Sequence, residues 1–144
     1  MSTDGDLRAL LRRGLPGPDW EWTPVETGGT ASGVPDAHCQ HVSGAHGWVE
    51  CKRTDGWAVD LRPHQVGWIA RAAAMGVPAA VLVRAGGVGS GGAARDALWA
   101  VQGRQVALLS EGGLRAPGLE PLGRWEGPPR TWPWAEIGRL LLSS

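Results

Sequence analysis

Gly33-Val34-Pro35-Asp36, followed by Gly47-Trp48-Val49-Glu50-Cys51-Lys52, is the stretch whose periodicity decides how the rest of the chain is read. Side chains alternate between the two faces of a strand, so Glu50 and Lys52 share one face while Val49 and Cys51 point to the other. Two segments, Asp36 to Val42 and Gly47 to Arg53, joined by Ser43-Gly44-Ala45-His46, read as a β-hairpin. Across such a hairpin Asp36 approaches Glu50, which places two carboxylates side by side with a lysine at their edge.

Working outward, Leu7, Leu10 and Leu11 have the i, i+3, i+4 spacing of an amphipathic helix over Asp4–Arg13, stopped by Gly14. Trp20 to Glu26 alternates as a strand, and Thr27 to Gly33 is a glycine-rich turn. After the polar run Thr54–Leu61, Pro63 opens a helix whose inward stripe is Val66, Ile69, Ala70 and Ala73. Gly76 and Pro78 end it. Pro78 to Arg84 is continuously apolar, as expected of a strand covered on both faces. Beyond the glycine-rich loop 85–94, Ala97–Val101 reads as a strand, Gln102–Glu111 as a short helix or strand, and Leu114–Arg130 as Pro/Gly-broken. A last helix begins at Thr131-Trp132-Pro133 and carries Trp134, Ile137, Leu140 and Leu141.

A chain of 144 residues sits near the size of one domain. Equal numbers of basic and acidic residues, 14 each, argue against a polybasic coat protein or a charged membrane binder. Any nucleic-acid contact must then come from local patches. No apolar run approaches the roughly 20 residues that span a bilayer. The two cysteines are too few for a disulfide framework, and the acidic start Met1–Asp6 lacks a signal peptide's basic and apolar regions, so the expected location is the cytoplasm, that of a host cell if the chain is phage-encoded.

The chain has no Phe, Tyr or Asn, and 13 arginines stand against a single lysine, Lys52. Where positive charge alone is needed, this chain uses arginine. A lysine kept at one position points to chemistry that needs a compact amine. Two adjacent carboxylates repel unless a cation sits between them, and Mg2+ is a hard ion bound through one or two carboxylates plus a substrate phosphate. Such an ion polarises a phosphodiester and activates water, with Lys52 orienting that water or neutralising developing charge.

Pro35-Asp36, then Glu50-x-Lys52, then Gln65 in a helix followed by an apolar strand, resembles the PD-(D/E)XK nuclease superfamily over residues 33–84. Within it, the chain is most similar to VRR-NUC-like and phage or archaeal-type Holliday junction resolvase-like proteins. The resemblance implies an α/β restriction-endonuclease-like core, a central mixed β-sheet flanked by helices in the order α-β-β-β-α-β, within a single domain 1–144. Its core would be about 1–84, with loop 85–94 and a C-terminal extension 95–144. It implies a metal held by Asp36, Glu50 and the main-chain carbonyl of Cys51, with Glu26 the candidate for a further acidic ligand and Asp6 or Glu21 behind it. Lys52 becomes the catalytic lysine and Gln65 a supporting residue. The implied cofactor is Mg2+, with Mn2+ substituting, and the implied reaction is in-line hydrolysis of DNA leaving a 5′-phosphate.

The expected substrate is branched DNA. Cutting two strands of a symmetric junction calls for two sites on a two-fold axis, hence a homodimer, which would also concentrate arginines that the neutral net charge otherwise dilutes. Arg53, Arg62, Arg71 and Arg84 are the candidate phosphate contacts, and His64 joins them on the resemblance.

Other readings stand beside this one. The enzyme could instead be a repair or restriction-type nuclease acting on duplex, flaps or ends, and the fold could serve as a non-catalytic DNA-binding module. Glu50 and Lys52 could be a solvated pair worth under about 1 kcal/mol. His38, Cys39, His41, His46 and Cys51 could hold zinc, although no C-x-x-C or H-x-x-x-H spacing supports it. Gly87-x-Gly89-x-x-Gly92 formally matches a dinucleotide fingerprint, but too little chain follows for a full unit, and no nucleotide cofactor is expected. The nine tryptophans replace Phe and Tyr in the core, with Trp57 alone suggested as a base-stacking residue.

Overall fold

A computed structural model describes residues 4–25, 33–86 and 96–143. Helix α1 spans Asp4–Gly14, strands β1, β2 and β3 span Trp20–Pro24, Ala37–His41 and His46–Thr54, and helix α2 spans Pro63–Ala74. Strands β4 and β5 cover Ala79–Gly86 and Asp96–Gln102, α3 covers Val106–Gly112, β6 covers Gly123–Glu126 and α4 covers Trp134–Ser143. The six strands form one sheet in the order β1-β2-β3-β4-β5-β6. Only β3 and β4 run parallel, joined through α2, and every other neighbouring pair is antiparallel. The class is therefore α/β, with a mixed sheet between two helical layers.

Alternation along β4 explains both layers. Ala79, Val81, Val83 and Ala85 pack toward Ile69 and Ala72 of α2 and Val106 and Leu109 of α3, whereas Ala80 and Leu82 pack toward Leu7 and Leu11 of α1 and Ile137 and Leu141 of α4. All eight residues of β4 are buried, as the continuous apolar run required. Truncating a side chain such as Leu82, with none of its surface in water, costs about 2–5 kcal/mol.

Local chemistry sets the ends of α2. Pro63 occupies the first turn, where its missing N–H has no partner to lose. At the other end Gly76, at φ +79°, donates to Ala73 O at 3.0 Å and Val77 donates to Ala72 O at 2.9 Å, the paired bonds of a Schellman cap. On the opposite sheet face, Gly47 lets α4 lie directly on β3, since a Cβ there would come 2.5 Å from the Leu141 carbonyl oxygen.

Three expectations are corrected. Ala85 and Gly86 belong to β4, paired with Ala97 and Asp96, rather than to the glycine loop. Of the helix or strand expected over Gln102–Glu111, the helix forms: a 3-10 turn, Gly103–Gln105, leads into α3. The Pro/Gly-broken region contains an edge strand, β6, paired with β5. Residues 96–143 are thus no appendage to a core ending near 84, because β5 lies inside the sheet and α3 and α4 supply half of both helical layers. The remaining loop positions expected at 87–94, with the Gly87-x-Gly89-x-x-Gly92 pattern, lie outside the described residues. None of the described helices is long and apolar enough to cross a membrane.

Candidate active site

The site forms where β2 stops. β2 pairs with β3 from Ala37, opposite Val49, to Gln40, opposite His46. Continued by two residues, the register would bring Pro35 opposite Cys51, and proline has no N–H to give that residue's carbonyl. The Cys51 N–H instead donates to Asp36 Oδ2 at 2.9 Å, so a side-chain carboxylate replaces the next rung of the ladder. The main-chain carbonyl of Cys51 shares this edge of β3 with its N–H. Gly33, at φ +88°, lets the chain pass over the start of α2, where a Cβ would meet the His64 carbonyl oxygen at 2.2 Å. This close passage gives the Gly-Val-Pro-Asp run its physical meaning.

Glu50 is 1% exposed, an expensive place for a carboxylate unless donors surround it. They do. Oε1 accepts the Asp36 N–H at 3.2 Å, Oε2 accepts from Gln65 Nε2 at 3.2 Å, and the Lys52 ammonium lies 3.6 Å from Oε2. Lys52 keeps 14% of its side chain in water, so its charge faces the carboxylates from the rim. Gln65, in the first turn of α2, also accepts the Arg62 N–H on Oε1 at 3.0 Å. One amide therefore closes the helix start and holds Glu50, which is half of a capping box turned to a second use. Asp36, Glu50, Lys52 and Gln65, all selected from sequence, converge here.

The other candidates divide. Glu26 lies outside the described residues. Arg62, His64 and Arg71 are exposed on or beside α2, and Arg53 is half-buried at the end of β3. Arg84 departs from its expected role as a phosphate contact: it is 9% exposed, makes a two-pronged ion pair with Asp96 (3.1 and 3.0 Å) and lies 5.7 Å from the centre of the Trp132 ring. The register places Asp96 opposite Gly86, and their pairing ties β4 to β5. Trp57 is likewise committed within the fold, its ring capped by the Arg115 guanidinium at 3.9 Å and set edge-on to Trp99.

The five residues considered for zinc are split between the sheet faces. Cys39 and Cys51 are buried against the α1/α4 layer, while His38 and His46 stand on the other face and His41 packs beside Trp20. Burial pushes the Cys39 thiol up to about 11, and its Sγ donates to the Gly47 carbonyl at 3.5 Å. Among the described residues no group of three or more His, Cys, Asp or Glu side chains converges. The oxygens at the β2 end, from two carboxylates and a main-chain carbonyl, suit a hard ion rather than a soft one.

Next to the carboxylates runs a row of rings that sequence reasoning did not assemble. His38 Nε2 and His46 Nδ1 are 3.0 Å apart, the His38 and Trp48 rings are 4.5 Å apart, and Trp48 meets Trp68 edge-on at 5.3 Å. Burial, with the neighbouring His46 charge second, lowers the His38 pKa from its ordinary 6.5. The signal was present in the hairpin parity: His46, Trp48, Glu50 and Lys52 all stand on one face of β3. Comparisons with models of known protein families, with curated proteins and with solved structures found no match to this chain.

Proposed function

We propose that this chain is a Mg2+-dependent DNA endonuclease of the PD-(D/E)XK kind, built on a restriction-endonuclease-like core and acting on branched DNA as a homodimer. The observation that carries the reading is the convergence of Asp36 and Glu50 at the end of β2, with the chain's only lysine 3.6 Å from Glu50. A solvated surface pair would not need a 1% exposed carboxylate wrapped by a main-chain N–H, an amide and an ammonium.

Asp36, Glu50 and the Cys51 carbonyl would hold the ion. When bound, Mg2+ supplies Lewis-acid polarisation of the phosphate and a water that is easier to deprotonate. Asp36 is kept in place by the Cys51 N–H, and Gln65 fixes the rotamer of Glu50, so both carboxylates are oriented before any ligand arrives. Lys52, at the solvent rim, can reach a phosphate oxygen and offset negative charge as the nucleophile attacks. Arg62, His64 and Arg71 line the approach over α2 as contacts for the phosphate backbone.

The test gives the purified chain four-way junction, flap, linear duplex and single-stranded DNA, each with Mg2+ or EDTA, beside Asp36→Asn and Lys52→Ala. Metal-dependent junction cutting that both substitutions abolish is the expected result. Ready cutting of plain duplex points to a restriction-type enzyme, and tight binding without cutting overturns the catalytic reading in favour of a DNA-binding module.

A further inference from the structure

The ring row beside the carboxylates lies on the sheet face that bears Glu50 and Lys52, with Trp48 two residues before Glu50 and so roughly 6–7 Å from it along the strand. Among the described residues, side chains on this face over β1 and β2 stay in water: Glu21, Thr23 and Gln40 are exposed, and His38, Trp48 and, from α2, Trp68 are only half-buried. Aromatic surface left in water beside a polar site is costly unless a partner covers it.

The charges around the row specify that partner. His64, Trp68 and Arg71 stand at i, i+4 and i+7 and share one face of α2. Arg71 folds back over Gly67, the residue before Trp68, where an added Cβ would lie 3.0 Å from Nη1. Rings flanked by cations, continuous with a phosphodiester site, suit a ligand with flat apolar faces on an anionic chain. Duplex bases keep their faces stacked on each other. Unpaired bases present them.

We propose that His38, Trp48 and Trp68 form a stacking strip for an unpaired nucleobase of a single-stranded segment adjoining the carboxylate site. The choice of ligand rests on the nuclease reading given above.

The experiment is fluorescence anisotropy of the full chain in EDTA, where no cutting competes. The probes are a labelled single-stranded oligothymidylate, the same oligomer carrying abasic sites, and a duplex of equal length. Stacking of one base predicts roughly 5- to 150-fold weaker binding of the abasic oligomer than of the normal one. His38→Ala and Trp68→Ala should erase most of that ratio, whereas Arg71→Gln should weaken both oligomers alike. His38→Ala removes a half-exposed ring and keeps the comparison valid should Trp68→Ala loosen the fold.

Equal affinity for normal and abasic oligomers, or a ratio unchanged in His38→Ala, overturns the strip. The two readings fail separately. Base-dependent binding by a chain that never cuts DNA sinks the nuclease and leaves the strip, and metal-dependent cutting with no base dependence does the reverse.

Discussion

Replacing Glu50 by Gln keeps the side chain's volume and removes its charge at a position only 1% exposed. In the native site Oε1 takes the Asp36 N–H and Oε2 takes the Gln65 amide, with Lys52 at 3.6 Å. Glutamine has one oxygen, so however its amide is turned one of those donors faces an NH2 group. The less costly orientation keeps oxygen toward Gln65 and Lys52 and leaves the Asp36 N–H unmatched. An unpaired buried donor costs about 1–3 kcal/mol, and the lost charge on a rim-exposed lysine adds at most about 1 kcal/mol. The sum, about 1–4 kcal/mol, lowers Tm by roughly 2–16 °C for a chain of this size. Urea unfolding followed by far-UV circular dichroism should show a lower midpoint with an unchanged slope. Repulsion between the Asp36 and Glu50 carboxylates acts in the opposite sense. A variant more stable than the native protein would show that this repulsion dominates, and would refute the account of Glu50 as a carboxylate satisfied by its donors.

Three further outcomes follow from the geometry. Asp96→Ala leaves the buried Arg84 guanidinium without its carboxylate and should cost about 3–5 kcal/mol in chemical denaturation; a loss under about 1 kcal/mol would mean that the pair is structurally idle. His38 has a lowered pKa in the fold, so the unfolded chain binds its proton first: stability is full above 6.5 and falls as pH drops below that value toward the folded pKa. The slope of stability against pH in that window should flatten in His38→Ala, measured by thermal melts across buffers. The Cys39 thiol, raised to about 11 and fully buried, should resist alkylation at pH 8 in the native protein and react once urea unfolds it; rapid native labelling at Cys39 by peptide mapping would contradict its placement.

The hairpin and its chemistry were legible because a period of two has only one alternative, and either choice keeps Glu50 with Lys52. Asp36 was legible only in part: a turn at Ser43–His46 would set Val42 opposite Gly47 and Asp36 opposite Arg53, whereas His46 belongs to β3 and the observed register, Gln40 opposite His46, brings Asp36 across from Glu50. Gln65 was chosen by resemblance, and its physical reason, the shared amide, appears only when α2 lies across β3. Arg84 could not be resolved from the chain alone: its partner Asp96 is 12 residues away and meets it only through the β4–β5 register. β6 escaped notice for a different reason. Gly123-Arg124-Trp125-Glu126 is an edge strand that buries no residue fully, so its alternation is weak against the surrounding prolines and glycines. The ring row had a partial signature in the parity of His38 and Trp48, but Trp68 joins it from a helix.

Because one glutamine amide serves both the helix start and Glu50, the two cannot vary independently. Asparagine is a methylene too short to span both, and glutamate would bring a third acid where a donor is required. A ligand that draws Glu50 Oε2 to itself competes with Gln65, and loss of that bond frees the first turn of α2 to fray. Amide-proton exchange at Val66 and Gly67 therefore becomes a remote gauge of occupancy, carried by backbone groups that never touch the ligand.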